Sequence, residues 1–485
     1  MRPELGVAQS PVLSKRLAPK EAFLAACGAA FDRCVPSEGS LPFASMSKIE
    51  AEVELQARFL ATLLIEKRLA VDPLADAQQE FICPSCGWRL RVQSPHQSRV
   101  LTTRMGDVEY ERPYTVCDRC DFCAAPLDYA MGIPTRGPTV ARRELVGATA
   151  ADSRSFEHSK RQLARQRIEL SSESIRKLAE REGRRIVETR DQDVERVFAR
   201  SQLPATKVDP PELLIITCDG GMVQTRDAKH RWKSDKVGCV YDATPQPTPQ
   251  AASAKEYRGA KAVTKTYTAS MVTWKDFGGM LYTEARRRGL DEAHQVVFIS
   301  DAAESIRELR AMHFPQAAGI IDWYHAKEHI HNSAKAAFGT TSDSECWVQE
   351  VGDLLWNGQL KDVIAAIKKQ SDKKGPPPKG ASDSDPRVIL HRDVGYFTKN
   401  RAEMDYPTYR ARGWPIGSGV AEGSVKIFGK RLKGSEKFWN IEGSEEMLAL
   451  CALYLSEDGR WPEHWKKLEE PVGGTIMTRP LTLSN

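Results

Sequence analysis

The 485-residue sequence predicts an α/β chain with a helical insertion, preceded by a helical N-terminus, a cysteine-rich ribbon and a basic helical segment. Three observations predict it. Beyond Pro204, Pro210 and Pro211 the pattern changes from helical to compact β runs, which then alternate with helical stretches. Two Cys-x-x-Cys pairs flank a short, strand-like stretch. Between these regions, residues 136–190 hold 14 Lys or Arg against 8 Asp or Glu.

Composition bounds the function classes. At 41% hydrophobic residues the chain can bury real cores, and its length fits roughly two to four domains. A mean hydropathy of −0.46 and 28% charged residues argue for a soluble protein. The cleanest apolar stretch, 22–31, is broken by Gly28 and falls far short of the ~20 residues of a membrane span. It starts late and lacks a cleavage site, so it reads as a buried helix. A cytoplasmic, nucleoid-associated protein without a membrane partner is expected. The block 136–190 nets +6 on a chain of +5, so the remainder sums to −1, and such a local surplus suggests a polyanion partner. Of eleven cysteines, five fall between Cys83 and Cys123. An odd, clustered count fits a metal site in a reducing compartment better than a disulfide framework.

The elements follow in order. Residues 1–75 read as helical, with apolar positions at helical spacing over 48–69 and a stop at Asp72-Pro73. Residues 76–135 form the ribbon and 136–205 the basic helical region, with a turn at 169–172. Residues 206–330 open with strands at 213–218, 237–241 and 264–274. A helix (276–288), a strand (295–300), a helix (302–312) and a fifth strand (317–323) follow. Three consecutive strands, then strands separated by helices, is the order of a ribonuclease H-like α/β fold. Residues 331–412 form the helical insertion, interrupted by a Pro-rich linker at 373–386. Residues 413–485 carry further helices at 420–433 and 441–455.

Cys83-Pro-Ser-Cys86 and Cys117-Asp-Arg-Cys120 present two thiolate pairs, the donors of a tetrahedral structural zinc site. The alternating stretch 99–114 between them reads as a hairpin, which makes the module a zinc ribbon. Cys123 is an alternative fourth ligand to Cys120. Four sulfurs close the shell and leave no open position for catalysis. In the basic region, Ser171-Ser-Glu-Ser174 caps a helix that follows another, 155–168, across a short turn. Arg176, Lys177, Arg181, Arg184 and Arg185 on the second helix suggest a helix-turn-helix that contacts DNA, with Glu173, Glu180 and Glu182 interspersed.

Asp219 closes the first strand in Thr217-Cys218-Asp219-Gly220-Gly221, and Asp301 closes the fourth. In the predicted sheet these strands are neighbours, so both carboxylates can share one divalent ion. Glu422, in Gly417-Ser418-Gly419-Val420-Ala421-Glu422, lies at the start of a helix and supplies a third carboxylate. Hard oxygen donors with open positions suit two Mg²⁺ ions, with Mn²⁺ as an alternative, in phosphoryl transfer.

The ordered set Asp219-Gly220-Gly221-Met222, Trp232-Lys233 with Lys236-Val237-Gly238-Cys239, Ser300-Asp301, Asp322-Trp323-Tyr324-His325, Pro415-Ile416-Gly417-Ser418 leading to Glu422, and Phe438-Trp439-Asn440 resembles the ISKra-type insertion-sequence transposases, which belong with mutator-like Asp-Asp-Glu transposases. The resemblance spans roughly residues 80 to 465. It implies a ribonuclease H-like catalytic domain with Asp219, Asp301 and Glu422 as the acidic triad. It also implies a helical insertion before Glu422 and an Asp-x-x-His, Asp322 to His325, after the fifth strand. It further implies strand cleavage and strand transfer on double-stranded DNA, at element ends and target. Work on two ends implies a homo-oligomer, a dimer first of all.

Other patterns offer rival or auxiliary roles. His325-Ala326-Lys327-Glu328-His329 matches the His-x-x-Glu-His of inverted zinc peptidases. A transposase-derived DNA-binding protein without cleavage would share the fold and the zinc. Lys426, Lys430 and Lys433 recur at three- and four-residue steps after Glu422 and are expected to hold DNA phosphate. Trp323 and Trp439 are expected in the core, with base stacking as the alternative.

Overall fold

The computed structural model describes residues 11–35, 45–200, 209–470 and 477–479, apart from 228, 230, 251, 252, 255 and 435. In chain order the first elements are α1 (Pro11–Cys34), α2 (Met46–Ala70), β1 (Glu80–Ile82), β2 (Arg91–Thr102), β3 (Asp107–Val116), β4 (Cys123–Ala124), α3 (Pro126–Ala130), α4 (Val140–Asp152) and α5 (Phe156–Arg165). Next come α6 (Ser172–Arg200), β5 (Leu213–Gln224), β6 (Trp232–Thr244), β7 (Lys261–Ser270), α7 (Trp274–Arg287), β8 (Gln295–Ser300), α8 (Glu304–His313) and β9 (Ala318–Ile321). The chain continues through α9 (Trp323–Phe338), α10 (Ser342–Trp356), α11 (Leu360–Lys374), α12 (Pro386–Asn400), α13 (Tyr406–Ala411), α14 (Gly419–Leu432), α15 (Ile441–Leu455), α16 (Arg460–Glu469) and β10 (Met477–Arg479).

The chain divides into two units. One comprises residues 1–149, 161–170 and 461–485; the other comprises 150–160 and 171–460. This differs in two places from the segmentation expected from sequence. The basic region 136–205 is shared between the units, and the end of 413–485 belongs with the N-terminal unit. The reason for the second is local: β10 pairs antiparallel with β1, Phe81 opposite Thr478, so the tail supplies the partner that a three-residue strand lacks.

In the first unit, β2 and β3 form the expected hairpin, longer than the alternating stretch, with β4 on the other edge of β3. Asp128 of α3, buried, ties the hairpin together. It accepts from Arg99 at 2.7 Å, from Arg112 at 3.1 Å and from the Tyr110 hydroxyl. Burial and the adjacent Asp128 carboxylate push the Tyr110 phenol well above its usual range. Leu69, Leu101, Val108, Tyr110 and Leu127 pack as one cluster.

In the second unit a five-stranded sheet runs in the order β7-β6-β5-β8-β9. Strands β5, β6 and β7 are antiparallel neighbours, whereas β5, β8 and β9 are parallel. The first strand is central because its buried run Leu213–Ile216 can pair on both sides. Side chains alternate along it. Leu214, Ile216 and Cys218 join Phe277, Leu281 and Leu309 in the core beneath α7 and α8. The opposite face, which carries Leu213, Ile215, Thr217 and Asp219, receives α14. Thr273 caps α7 by accepting from the Asp276 N–H, and Asp385 with Pro386 starts α12.

Helices α9 to α13 make up the insertion, on its own core. Trp323 packs edge-on against Trp356 and Tyr406. The buried Arg410 guanidinium lies 3.5 Å over the Trp356 ring and donates to the Trp356 carbonyl at 2.9 Å. No helix among the described residues is long and apolar enough to cross a membrane.

Candidate functional site

The two aspartates come together through strand register. Thr217 lies opposite Ile299 in the parallel β5–β8 pair, and its hydroxyl donates to the Ile299 carbonyl at 3.0 Å. Two residues further on, Asp219 and Asp301 stand where that pairing stops. Asp219 does not end its strand, as expected from sequence; β5 runs on to Gln224, paired with β6 alone. Burial pushes the Asp219 carboxyl above its usual range. The Gly220 N–H opposes this, the Asp301 charge adds to it, and His325 and Lys433 oppose it. Asp301 accepts the Ala303 N–H at 2.9 Å. Between them Ala302 takes φ of 73°, a left-handed conformation that costs a non-glycine residue about 1–2 kcal/mol and turns the chain sharply behind the carboxylate.

Asp322 builds the next wall. It is buried and caps α9, accepting the Tyr324 N–H at 2.6 Å. Its other oxygen accepts the Ser418 N–H at 2.9 Å and the Ser418 hydroxyl. The Trp323 N–H donates to Ile416 at 2.8 Å. The start of α9 is thereby locked to the loop that leads into α14. His325, in the first turn of α9, has Nδ1 3.8 Å from Asp322. It lies within electrostatic reach of both Asp219 and Glu422.

Glu422 sits in the first turn of α14 but is 59% exposed and ion-paired with Lys426. That pair, with His325, holds its carboxyl below the usual range. Among the described residues, the His, Cys, Asp and Glu group whose ligand atoms lie within 4.8 Å of one another is formed by four cysteines; Asp219, Asp301 and Glu422 do not close that tightly.

The expected lysine stripe splits. Lys426 is taken by Glu422, and Lys430 is exposed. Lys433 leaves the helix in an extended conformation and lies against Gly429. Trp323 and Trp439 are buried, as expected. The two histidines of the His-x-x-Glu-His pattern have different neighbours. His329 bonds Asp393 at 2.8 Å and stacks on Tyr396 at 3.7 Å, whereas His325 faces Asp322.

Sequence reasoning missed Asp235. Strand β6 places it opposite Gly221, on the face that carries Asp219. It is fully buried, and neither carboxylate oxygen has a hydrogen-bond partner. Burial raises its carboxyl and Lys433 opposes that rise. Its sequence neighbours, Lys233, Ser234 and Lys236, are polar, so nothing local marked it as buried.

The four cysteines Cys83, Cys86, Cys117 and Cys120 could hold a structural metal such as zinc. Their Sγ atoms approach to 3.6 Å for Cys83 with Cys120 and 3.5 Å for Cys86 with Cys117. Gly87, at φ of 71°, closes the first knuckle, where the Cys83 N–H donates to the Trp88 carbonyl at 2.7 Å. Burial opposes ionisation of Cys117, yet the N–H groups of Arg119 and Cys120 help bring its thiol down to about 7, which suits a ligand thiolate. Cys123 lies outside the group, exposed on β4 opposite Val116.

On the basic segment, α6 is a 29-residue helix rather than a short recognition helix. Its Gly183 packs against the backbone of Glu446 on α15. Arg176 is drawn onto Glu173 and Glu180, and Lys177 onto Glu173; Arg184 bonds Glu446, and Arg185 pairs with Glu182. Arg181 is exposed. Compared with known proteins, the chain matches no family model and no curated protein at a significant level.

Proposed function

We propose that the chain is a DNA transposase of the Asp-Asp-Glu kind, which cleaves and rejoins DNA strands at the Asp219–Asp301 centre. The observation that carries this is the register of β5 and β8, which sets two carboxylates side by side at the end of their pairing. His325, within electrostatic reach of both Asp219 and Glu422, supports grouping the third acid with the pair. The strand order, with the second strand antiparallel and the fourth and fifth parallel to the first, supports reading the sheet as ribonuclease H-like.

Asp219, Asp301 and Glu422 are the residues that would hold Mg²⁺, or Mn²⁺, and hard oxygen donors suit either ion. When bound, such ions activate a water or 3′ hydroxyl and stabilise the leaving oxygen. The chain's own part is to fix the acids rigidly, through strand register and through the turn at Ala302. His325 faces the same space and can orient a water. Zn²⁺ at Cys83, Cys86, Cys117 and Cys120 would be structural. Arg176, Lys177, Arg181, Lys426 and Lys430 would meet DNA phosphates by exchanging their carboxylate partners or from exposed positions. Action on two DNA ends calls for a homo-oligomer, with a dimer the simplest.

Mg²⁺-dependent cleavage of a DNA fragment carrying the sequences that flank the gene tests this. Wild-type cleavage lost in Asp301→Ala is expected; cleavage that survives the change overturns the assignment. A second reading, a DNA-binding protein without cleavage, is favoured by one observation, the exposed Glu422 paired with Lys426. That reading expects DNA binding with no cleavage in either protein.

A further inference from the structure

We infer that Asp235 is a positioning residue that holds the Lys433 ammonium over Gly221, beside Asp219, where it takes a phosphate oxygen of the bound DNA strand. The inference rests on the proposed function of the same centre and adds a basic contact to it. Three features lead there. The Asp235 carboxylate is fully buried with both oxygens lacking hydrogen bonds, an arrangement that costs stability unless a cation faces it. The facing cation is identifiable: a Cβ on Gly221 would collide with Lys433 Nζ and lie 2.6 Å from the nearer Asp235 oxygen, so both groups occupy the space over that glycine. The approach is built for it as well, since a Cβ on Gly429 would lie 3.3 Å from Lys433 Cδ. The lysine stem thus passes one glycine and ends over another.

Gly221 and Asp219 are two apart on β5, so they share a face. The ammonium therefore stands next to the acid centre, and Lys433 is itself only partly buried. A substrate phosphate brought to Asp219 and Asp301 meets two carboxylates. A fixed cation beside them offsets that repulsion without competing for their oxygens. Lys426 cannot fill this place while Glu422 holds it.

The test exploits a sign. Binding of a mixed-sequence DNA duplex to the full chain is measured across a salt series. Removal of an acid makes the chain more basic, so general electrostatics predicts tighter binding for Asp235→Asn. Positioning predicts weaker binding and a shallower salt dependence. Lys433→Gln is expected to lower the slope of log K against log salt by about 0.9, one phosphate contact. Asp235→Asn should lower it in the same direction, and the double variant should be no worse than Lys433→Gln. Binding by Asp235→Asn as tight as wild type overturns the positioning role. An unchanged slope in Lys433→Gln, which needs no buried substitution, overturns the phosphate contact. These readouts need no cleavage. Failure of the enzyme assignment would show instead as cleavage that survives Asp301→Ala, so the two failures are distinguishable.

Discussion

Replacing Asp322 by Asn tests whether the lock between α9 and the loop before α14 sets the acid centre. The carboxylate accepts on both oxygens: the Tyr324 N–H on one, the Ser418 N–H and hydroxyl on the other. An amide of the same size keeps one acceptor and turns an NH₂ toward a donor on the other side. If the Ser418 side loses, a buried N–H is left unsatisfied, at about 1–3 kcal/mol. If the helix side loses, the cap is gone, at about 0.5–2 kcal/mol. Whichever side loses, the cost is roughly 1–3 kcal/mol. Because Ser418 is the residue before α14, its release moves the first turn that carries Glu422. A displacement of about 1 Å at a reacting centre costs on the order of 10²-fold in rate. The measurements are urea denaturation and Mg²⁺-dependent cleavage, under conditions where the variant is fully folded. Unchanged stability refutes the hydrogen-bond account. A destabilised variant that cleaves at the wild-type rate refutes the claim that this lock places Glu422.

Three further outcomes follow from the geometry. Cys120→Ser should lower the bound zinc measured per chain well below that of wild type, whereas Cys123→Ser should leave it unchanged; the reverse would make Cys123 the fourth ligand. Burial alone would raise the buried Glu284 carboxyl, but the Arg460 and Arg287 guanidiniums at 2.6 and 2.9 Å outweigh it and hold it at about 2, below its ordinary 4.5. A depressed folded value gives stability that is present above that ordinary value and lost as pH falls toward 2, about 3 kcal/mol in all; the urea midpoint should fall over that window, and Glu284→Gln should flatten the fall. Phe277→Ala, at a fully buried ring between α7 and the sheet, should lower the unfolding free energy of its unit by about 3–5 kcal/mol, read from the same titration.

Elements whose limits are set by local chemistry were legible in the sequence. Strand β8 and helix α15 end where Gln295–Ser300 and Ile441–Leu455 were expected, because an apolar β run and the Asn440 cap define them without help from elsewhere. The cysteine knuckles were legible for the same reason. Elements whose limits depend on a partner were not. Strand β6 extends from Trp232 to Thr244, far beyond its apolar centre at 237–241, because β5 pairs along its whole length. The tail strand β10 has no pattern of its own and exists through β1. The split of the lysine stripe was equally hidden, since helical spacing assumes that the helix continues to Lys433, and it stops at Leu432.

Asp235 shows why the acid centre was only half visible. Asp219 and Asp301 announce themselves as acids that close apolar runs, a local property. Asp235 lies inside a strand, between Ser234 and Lys236, and its place depends on which residue of β5 it opposes. In the β5–β6 pairing that residue is Gly221. A slip of one residue would exchange the two faces of β6. Lys236, which now lies 5.9 Å from the Trp274 ring on the α7 side, would turn toward α14. Asp235 would then face Trp274, the ring that Lys236 and Gly220 now meet. A carboxylate against that ring would be buried without a cation, several kcal/mol less stable than one facing Lys433. The buried acid therefore helps to select the register that places it, so a residue costly in isolation contributes specificity instead.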